Sequence, residues 1–486
     1  MRKILLIGWI VLSIHSFSQI PSFFYTRFGG NDDDIGNSII QSLNGGYIVV
    51  GQTNSFGALQ TDVYVSKTNN LATPIWQKNF GGVLSDIGKS IVELNDSSII
   101  IAGYTSSFGN GGYDAYIFKI DKIGNLIWEK TFGGSDWDFA YSINKTNDGN
   151  IIVCGSTYSY GRGDEDGFIL KMDYNGNFLW NKTYGGKSQD NFKEVIQTVD
   201  GGYIAAGTTK SYGDSLGDVW VAKFDANGDS SWFTTRGGNK KEVGNSIVQD
   251  GNQDYFVAGG SESYGIGMED AYVFKLSVNG NFLWQRTEGL SNEDEECYSV
   301  KNSYSIIGGI VFCFTTKEIP SFGKDSKTLL YDANGSYVNG GRVGSQQDDE
   351  AFTVANCNDK GYIIVGYTKG FNSPSNLEDV FVVKFDSLMN GPGSLILGIA
   401  KNGIDAKRFI KAYPNPFSDK IMIESLKDDL INKIEIVDMN GKTVFEENHL
   451  KTSSFLVENL NLPSGVYIAK LTTESTNYTS KIFCSK

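Results

Sequence analysis

Two series of carboxylates recur along this chain, and carboxylates serve both as ligands for hard cations and as the acid–base pairs of glycosidases. Asp34, Asp86, Asp138, Asp190, Glu242, Asp294 and Asp349 form one series. Asp62, Asp114, Asp166, Asp218, Asp270, Asp325 and Asp379 form the other. The first series has two readings. Its members are candidate cation ligands, calcium above all, or each accepts backbone N–H bonds in its own loop, as Asp does in turns. Near-identical use seven times over favours the loop reading, so no cofactor is expected and calcium stays as the alternative. The stretch DANGD, residues 225–229, lacks the glycine and distal glutamate of an EF-hand loop in register.

Histidine narrows the chemistry further. The chain has two, His15 and His449, and neither falls in the repeated region. Ser-His-Asp and Cys-His couples and imidazole-held zinc are therefore not expected there. Acids occur in every repeat, so no pair stands out as a catalytic couple. The expectation is a protein without catalytic activity, with a carboxylate-dependent carbohydrate-active enzyme as the alternative. Five cysteines, Cys154, Cys297, Cys313, Cys357 and Cys484, show no CxxC spacing and read as small buried residues, with a Cys297–Cys313 disulfide as one further option.

The elements that position these residues follow from a period of 52. Trp76, Trp128, Trp180, Trp232 and Trp284 are spaced by it, as are Gly29, Gly81, Gly133, Gly185, Gly237 and Gly289. Such a period signals a solenoid, propeller or array. One unit resolves into four strands. Strand A starts at Asp86, B ends near Thr105, C starts at Asp114 and D runs through Trp128. Turn signals separate them: LNGG or NDGN between A and B, DxxGN between C and D. The 58 glycines, 8 prolines, 30 phenylalanines and 25 tyrosines suit short strands, tight turns and aromatic packing. Strands A to C occur seven times up to Asp386, while strand D lacks its last copy and has an extra one at the N-terminus. That offset predicts an all-β, seven-bladed β-propeller over residues 21–386, with the N-terminal SFFYTRF completing the last blade and removing an exposed edge. The repeated Trp is read as packing between blades rather than a sugar platform.

Binding is expected where repeats differ. In a four-stranded meander the B–C and D–A loops share one face, and here the B–C loops are long and varied. Ligand-binding candidates are Arg162, Asp164, Asp214 and Met268; the tripeptide Arg162-Gly163-Asp164 reads as chance in a Gly/Asp-rich loop. Residues 1–18 read as a signal peptide with cleavage after Ser18, and no cysteine follows to carry a lipid. No other apolar run is long enough to span a membrane. A net charge of −14 argues against nucleic acid or an anionic membrane as partner. Residues 387–409 form a linker, and residues 410–486 read as a small β-sandwich.

The pattern DAYIFKIDxxGNLIWxKxFGGxxxD resembles the bacterial SBBP-type seven-bladed propeller repeat over residues 21–386. The C-terminal segment resembles the type A sorting domain of the type IX secretion system, through Tyr413-Pro414-Asn415-Pro416, Gly441-Lys442, Gly465-Val466-Tyr467 and Lys486. That resemblance implies the type IX machinery as a partner and a secreted or cell-surface location. The expected function is a binding module for a surface polysaccharide or protein; a structural surface component is a third reading.

Overall fold

The computed structural model describes residues 23–391 apart from 292, 318–322 and 371–376, and residues 410–484 apart from 414–417, 426–429, 439–441, 459, 461, 464 and 474–476. The signal segment and most of the linker lie outside the described residues. The chain divides into two compact units, with the division at Leu397/Gly398.

The first unit is built of seven four-stranded antiparallel sheets. The second sheet has strands Asp86–Glu93, Ile99–Thr105, Asp114–Ile120 and Leu126–Phe132, paired in chain order. Strands B and C are buried almost throughout, because β-branched and aromatic side chains point both ways from them. Strand D is half-exposed and forms an outer edge. The six sheets after Phe28 are consecutive in sequence. The seventh joins Asp349–Asn356, Tyr362–Thr368 and Asp379–Phe385 to Phe24–Phe28 from the other end of the unit. Phe24 lies opposite Lys384 and Phe28 opposite Val380, and Arg27 pairs with Asp379.

The A strands are the inner ones. They are Asp34–Gln41, Asp86–Glu93, Asp138–Lys145, Asp190–Gln197, Glu242–Gln249, Cys297–Asn302 and Asp349–Asn356. Each packs against the next, and the last packs against the first. Apolar clusters fill the spaces between successive sheets. One holds Ile100, Ala102 and Ile117 of the second sheet with Val153, Phe168 and Leu170 of the third.

All five cysteines are buried free thiols. Cys297 and Cys313 form no disulfide, although they lie on adjacent strands. Cys297 sits opposite Phe314 rather than Cys313, and the two side chains enter different apolar clusters on opposite faces of their sheet.

The second unit has a three-stranded sheet of Ile410–Tyr413, Ile421–Ser425 and Ser454–Val457. Its four-stranded sheet orders Thr443–Thr452, Ile431–Asp438, Gly465–Thr473 and Asn477–Cys484. Ile421, Ile423 and Val457 of the first sheet share one core with Ile434, Ile436 and Leu471 of the second.

Candidate functional site

Each inner strand carries a β-bulge at the same place. The ladder skips Asn37, Lys89, Tyr141, Lys193, Asn245, Tyr298 and Phe352, one per strand. A bulge leaves its extra residue unpaired and re-aims its side chain. Five of the seven, from Lys89 to Tyr298, line a cavity of about 440 Å³ to which all seven inner strands contribute. The residue after each bulge is hydroxylic or acidic: Ser38, Ser90, Ser142, Glu194, Ser246, Ser299 and Thr353.

The cavity is cationic in an acidic protein. Of its lysines, Lys301 pairs with Glu194 at 2.8 Å. Glu194 also accepts from the Ile247 N–H at 2.9 Å and from Ser246 Oγ. Lys89 and Lys193 have no ion-pair partner among the described residues. Burial, and then the Lys193 charge, push Lys89 down to about 8. Burial likewise lowers Lys193, partly offset by Glu165 and Glu296. The Lys193 ammonium stands 3.6 Å from the centre of the Tyr141 ring, a cation–π contact. Tyr298 packs edge-on against Phe352, with centroids 5.3 Å apart.

A second hollow of about 220 Å³ shares Lys193 and Asn245 with this cavity. Glu165 and Lys210, from B–C loops, and Gln189 and Lys241, from D–A loops, also line it. The hollow under those loops thus adjoins the cavity at Lys193 and Asn245.

The carboxylates that begin the inner strands are held by their own loops. Asp86 accepts from the Gly82 N–H at 2.8 Å, Ser107 Oγ at 2.7 Å and Thr105 Oγ1. Asp34 and Asp138 take the same glycine and serine contacts, through Gly30 and Ser55 and through Gly134 and Ser159. Asp190 accepts from Gly186 and Thr209, Glu242 from Gly238 and Ser261, and Asp349 from Ser345. These bonds tie a D–A loop to a B–C loop. Asp294 is the exception: it is exposed, and the neighbouring Glu295 is buried in its place. Glu295 accepts from the Leu290 N–H at 3.1 Å and Thr316 Oγ1 at 3.3 Å. Stepping by 52 lands one residue short because the loop after Gly289 is one residue longer than its counterparts. From Asp34 to Glu242, and at Glu295 in place of Asp294, these acids neighbour a strand-C Asp with a glycine between them; a Cβ at Gly81 would lie 2.6 Å from Asp62. Among the described residues no group of three or more His, Cys, Asp or Glu is placed to hold a metal ion.

Arg162, Asp164, Asp214 and Met268 sit on three successive B–C loops, with Met268 61% exposed. The Arg162 N–H donates to Asp166 at 2.6 Å and the Asp214 N–H to Asp218 at 3.0 Å. None of the four lines either cavity, and no hydrogen bond or ion pair joins their side chains. Reading the sequence missed the bulge positions. The signal was present: between the acid that opens strand A and the hydroxylic or acidic residue four positions on, the bulge position varies among Asn, Lys, Tyr and Phe. The repeated Trp residues lie on outer strands and line neither cavity.

In the second unit Tyr413 ends its strand and Gly465 begins another. Tyr467 is buried, and its hydroxyl donates to the Pro463 carbonyl at 3.0 Å. The exposed Lys442 donates its N–H to Asp438 at 2.9 Å. Pro414, Asn415, Pro416, Gly441 and Lys486 lie outside the described residues.

Residues 411–485 match the family of secretion system C-terminal sorting domains, Por_Secre_tail. Regulatory protein FlaEY of Caulobacter vibrioides is 23% identical over 257 residues, which cover 48% of this chain and 23% of that protein. The chain thus spans less than a quarter of that curated relative's length. Among solved structures, the Neurospora crassa Pan2 WD40 domain aligns at 10% identity and a TM-score of 0.47, covering 74% of this chain and 95% of its own. Sqt1 from Chaetomium thermophilum aligns at 11% and 0.43, covering 77% and 87%. The α-L-arabinofuranosidase Arb93A from Fusarium graminearum aligns at 13% and 0.43, covering 62% and 93%. Among the described residues no helix is long and apolar enough to cross a membrane. The first unit repeats a four-stranded antiparallel sheet seven times, and the C-terminal sorting domain sends the chain through the type IX secretion system to the cell surface or beyond.

Proposed function

We propose that this exported chain is a closed seven-bladed propeller, followed by a β-sandwich sorting domain, and that it acts as a binding module for a surface polysaccharide or protein. Closure is supported by the seventh sheet, which recruits Phe24–Phe28, and by the contact of the last inner strand with the first. The β-sandwich reading is supported by the core that the two C-terminal sheets share. The observation that carries the binding reading is the cavity to which seven inner strands contribute, sharing Lys193 and Asn245 with the hollow under the B–C and D–A loops. A rigid scaffold carrying varied loops around a polar hollow is suited to recognition.

The purified protein is screened against polysaccharides for binding and for product release. Binding without product is expected, and release of product would replace the binding reading with the enzyme reading. Substituting Arg162, Asp164, Asp214 and Met268 by alanine should then weaken binding without lowering the melting temperature. Substitutions in the A–B and C–D turns should leave binding intact; the reverse pattern would move the site to the other face. Removing residues 410–486 should leave the propeller folded and trapped in the periplasm.

A further inference from the structure

Lys89 and Lys193 are anomalous as structural residues. They belong to the second and fourth sheets, 104 positions apart, yet both line the same cavity and Lys89 feels the charge of Lys193; the Lys89 ammonium stands 5.9 Å from the centre of the Tyr104 ring. Two like charges brought out of bulk water repel and lose hydration; among the described residues neither forms an ion pair, and Glu165 and Glu296 offset the loss only partly, at Lys193. The one carboxylate on this cavity's wall, Glu194, is already engaged by Lys301, Ser246 and the Ile247 N–H. The cavity wall therefore carries three lysines against one glutamate within a chain of net charge −14.

The rest of the wall narrows the ligand. Ser90 and Ser246 accept N–H bonds from neighbouring inner strands. The hydroxyls of Ser38 and Ser142 have no protein partner among the described residues. Tyr141 adds an aromatic wall beside Lys193. A volume of about 440 Å³ is within the range of small-ligand pockets. Two lysines and open hydroxyls on one cavity wall match a ligand with a carboxylate at one end and hydroxyls along its body.

We propose that the central cavity binds a small polyhydroxylated carboxylate, a sugar acid, with Lys89 and Lys193 holding the carboxylate and the serines after the bulges meeting its hydroxyls. This deepens the binding role proposed above by assigning a ligand class to the cavity. It is probed with monosaccharides, so its outcome is separate from that of the polymer screen and the loop substitutions.

Titration calorimetry of the full chain with D-glucuronate, D-glucose and inorganic sulfate tests it. Glucuronate should bind, sulfate more weakly, and glucose not measurably. K89Q/K193Q should lose at least ~10-fold in glucuronate affinity, the scale expected when charge-assisted bonds are removed. K122Q, in a C–D turn on the opposite face, should bind like the parent. The single variant K89Q serves if the double variant does not fold. Without ligand, K89Q should melt no lower than the parent, because it removes a repelled charge; a lower melting temperature would mark Lys89 as structural and overturn the assignment. So would glucose binding as well as glucuronate, sulfate binding more tightly than glucuronate, unchanged affinity in K89Q/K193Q, or no binding of glucuronate.

Discussion

The indole of Trp128, on the outer strand of the second sheet, lies against Gly176 in the C–D turn of the third. A Cβ at 176 would come within 3.0 Å of the ring, and the glycine has φ +86°. The relationship repeats between Trp76 and Gly124, Trp180 and Gly228, Trp232 and Gly280, and Trp284 and Gly335. These five outer strands thus lock onto the next sheet through one large and one absent side chain. Gly176→Ala combines left-handed backbone strain with collision and should cost ~2–3 kcal/mol. Gly149→Ala, at φ +77° with nothing within 4 Å, should cost only about 1 kcal/mol. Urea unfolding of the two variants separates packing from backbone strain, and equal losses would show that the indole contact contributes nothing.

The sixth outer strand breaks the pattern in a compensated way. Asn339 replaces the Trp, and its side-chain amide donates to the Leu388 carbonyl in the next turn. Met389, with φ +61°, stands where that turn would have glycine and is buried. Asn339→Trp alone should destabilise, because the methionine occupies the indole's place. Adding Met389→Gly should recover more than the sum of the single effects, a coupling of about 1 kcal/mol or more in a double-mutant cycle. Strict additivity would refute this exchange.

Acid should weaken the buried lysine clamps under the A–B turns. Lys171 pairs with Asp148, and Lys223 with Asp200 at 2.8 Å. Partial burial works upward on each carboxyl, but the lysine and threonine hydrogen bonds outweigh it and bring both down to about 2. A depressed folded value means the stabilisation is complete above the ordinary value of 3.8 and is lost as pH falls through about 2. Both aspartates are roughly half-exposed, so each pair is worth about 1 kcal/mol at most. Chemical denaturation at pH 5 and pH 2 should show a steeper loss for the parent than for Asp148→Asn/Asp200→Asn.

Asp349 behaves in the opposite sense. Burial raises it to about 6, against the Thr368 and Ser345 hydrogen bonds. A raised folded value means its favourable contribution is present below 3.8 and is lost as pH rises through about 6. The rise from 3.8 to about 6 is worth ~3 kcal/mol. Between pH 4 and pH 7, the stability of Asp349→Asn relative to the parent should therefore improve by about that amount. Parallel pH profiles for the two proteins would show that Asp349 keeps an ordinary value.

Deleting residues 23–28 removes the strand that covers Asp379–Phe385 and the Arg27 partner of Asp379. A bare edge and a buried carboxylate without its cation should produce aggregation or a clear fall in melting temperature. A truncated protein that melts like the intact one would refute ring closure by this strand.

The period of 52 and the turn residues between strands were enough to locate the strands, because turn chemistry and strand alternation are local properties of the chain. The sorting segment was legible for the same reason: Tyr413, Gly465 and Tyr467 belong to motifs that keep their order in sequence. The one-residue misplacement at Asp294 shows the limit of counting, since burial selects Glu295 once the loop has lengthened. The cavity was not legible. Nothing local marks Lys89 and Lys193 as residues of one cavity; both line it only because sheets two and four each contribute an inner strand to its wall, and because a bulge in each strand lifts that residue out of its ladder. Periodicity is written along the chain, whereas convergence on a point arises from packing whole sheets against one another, and that step belongs to the tertiary structure.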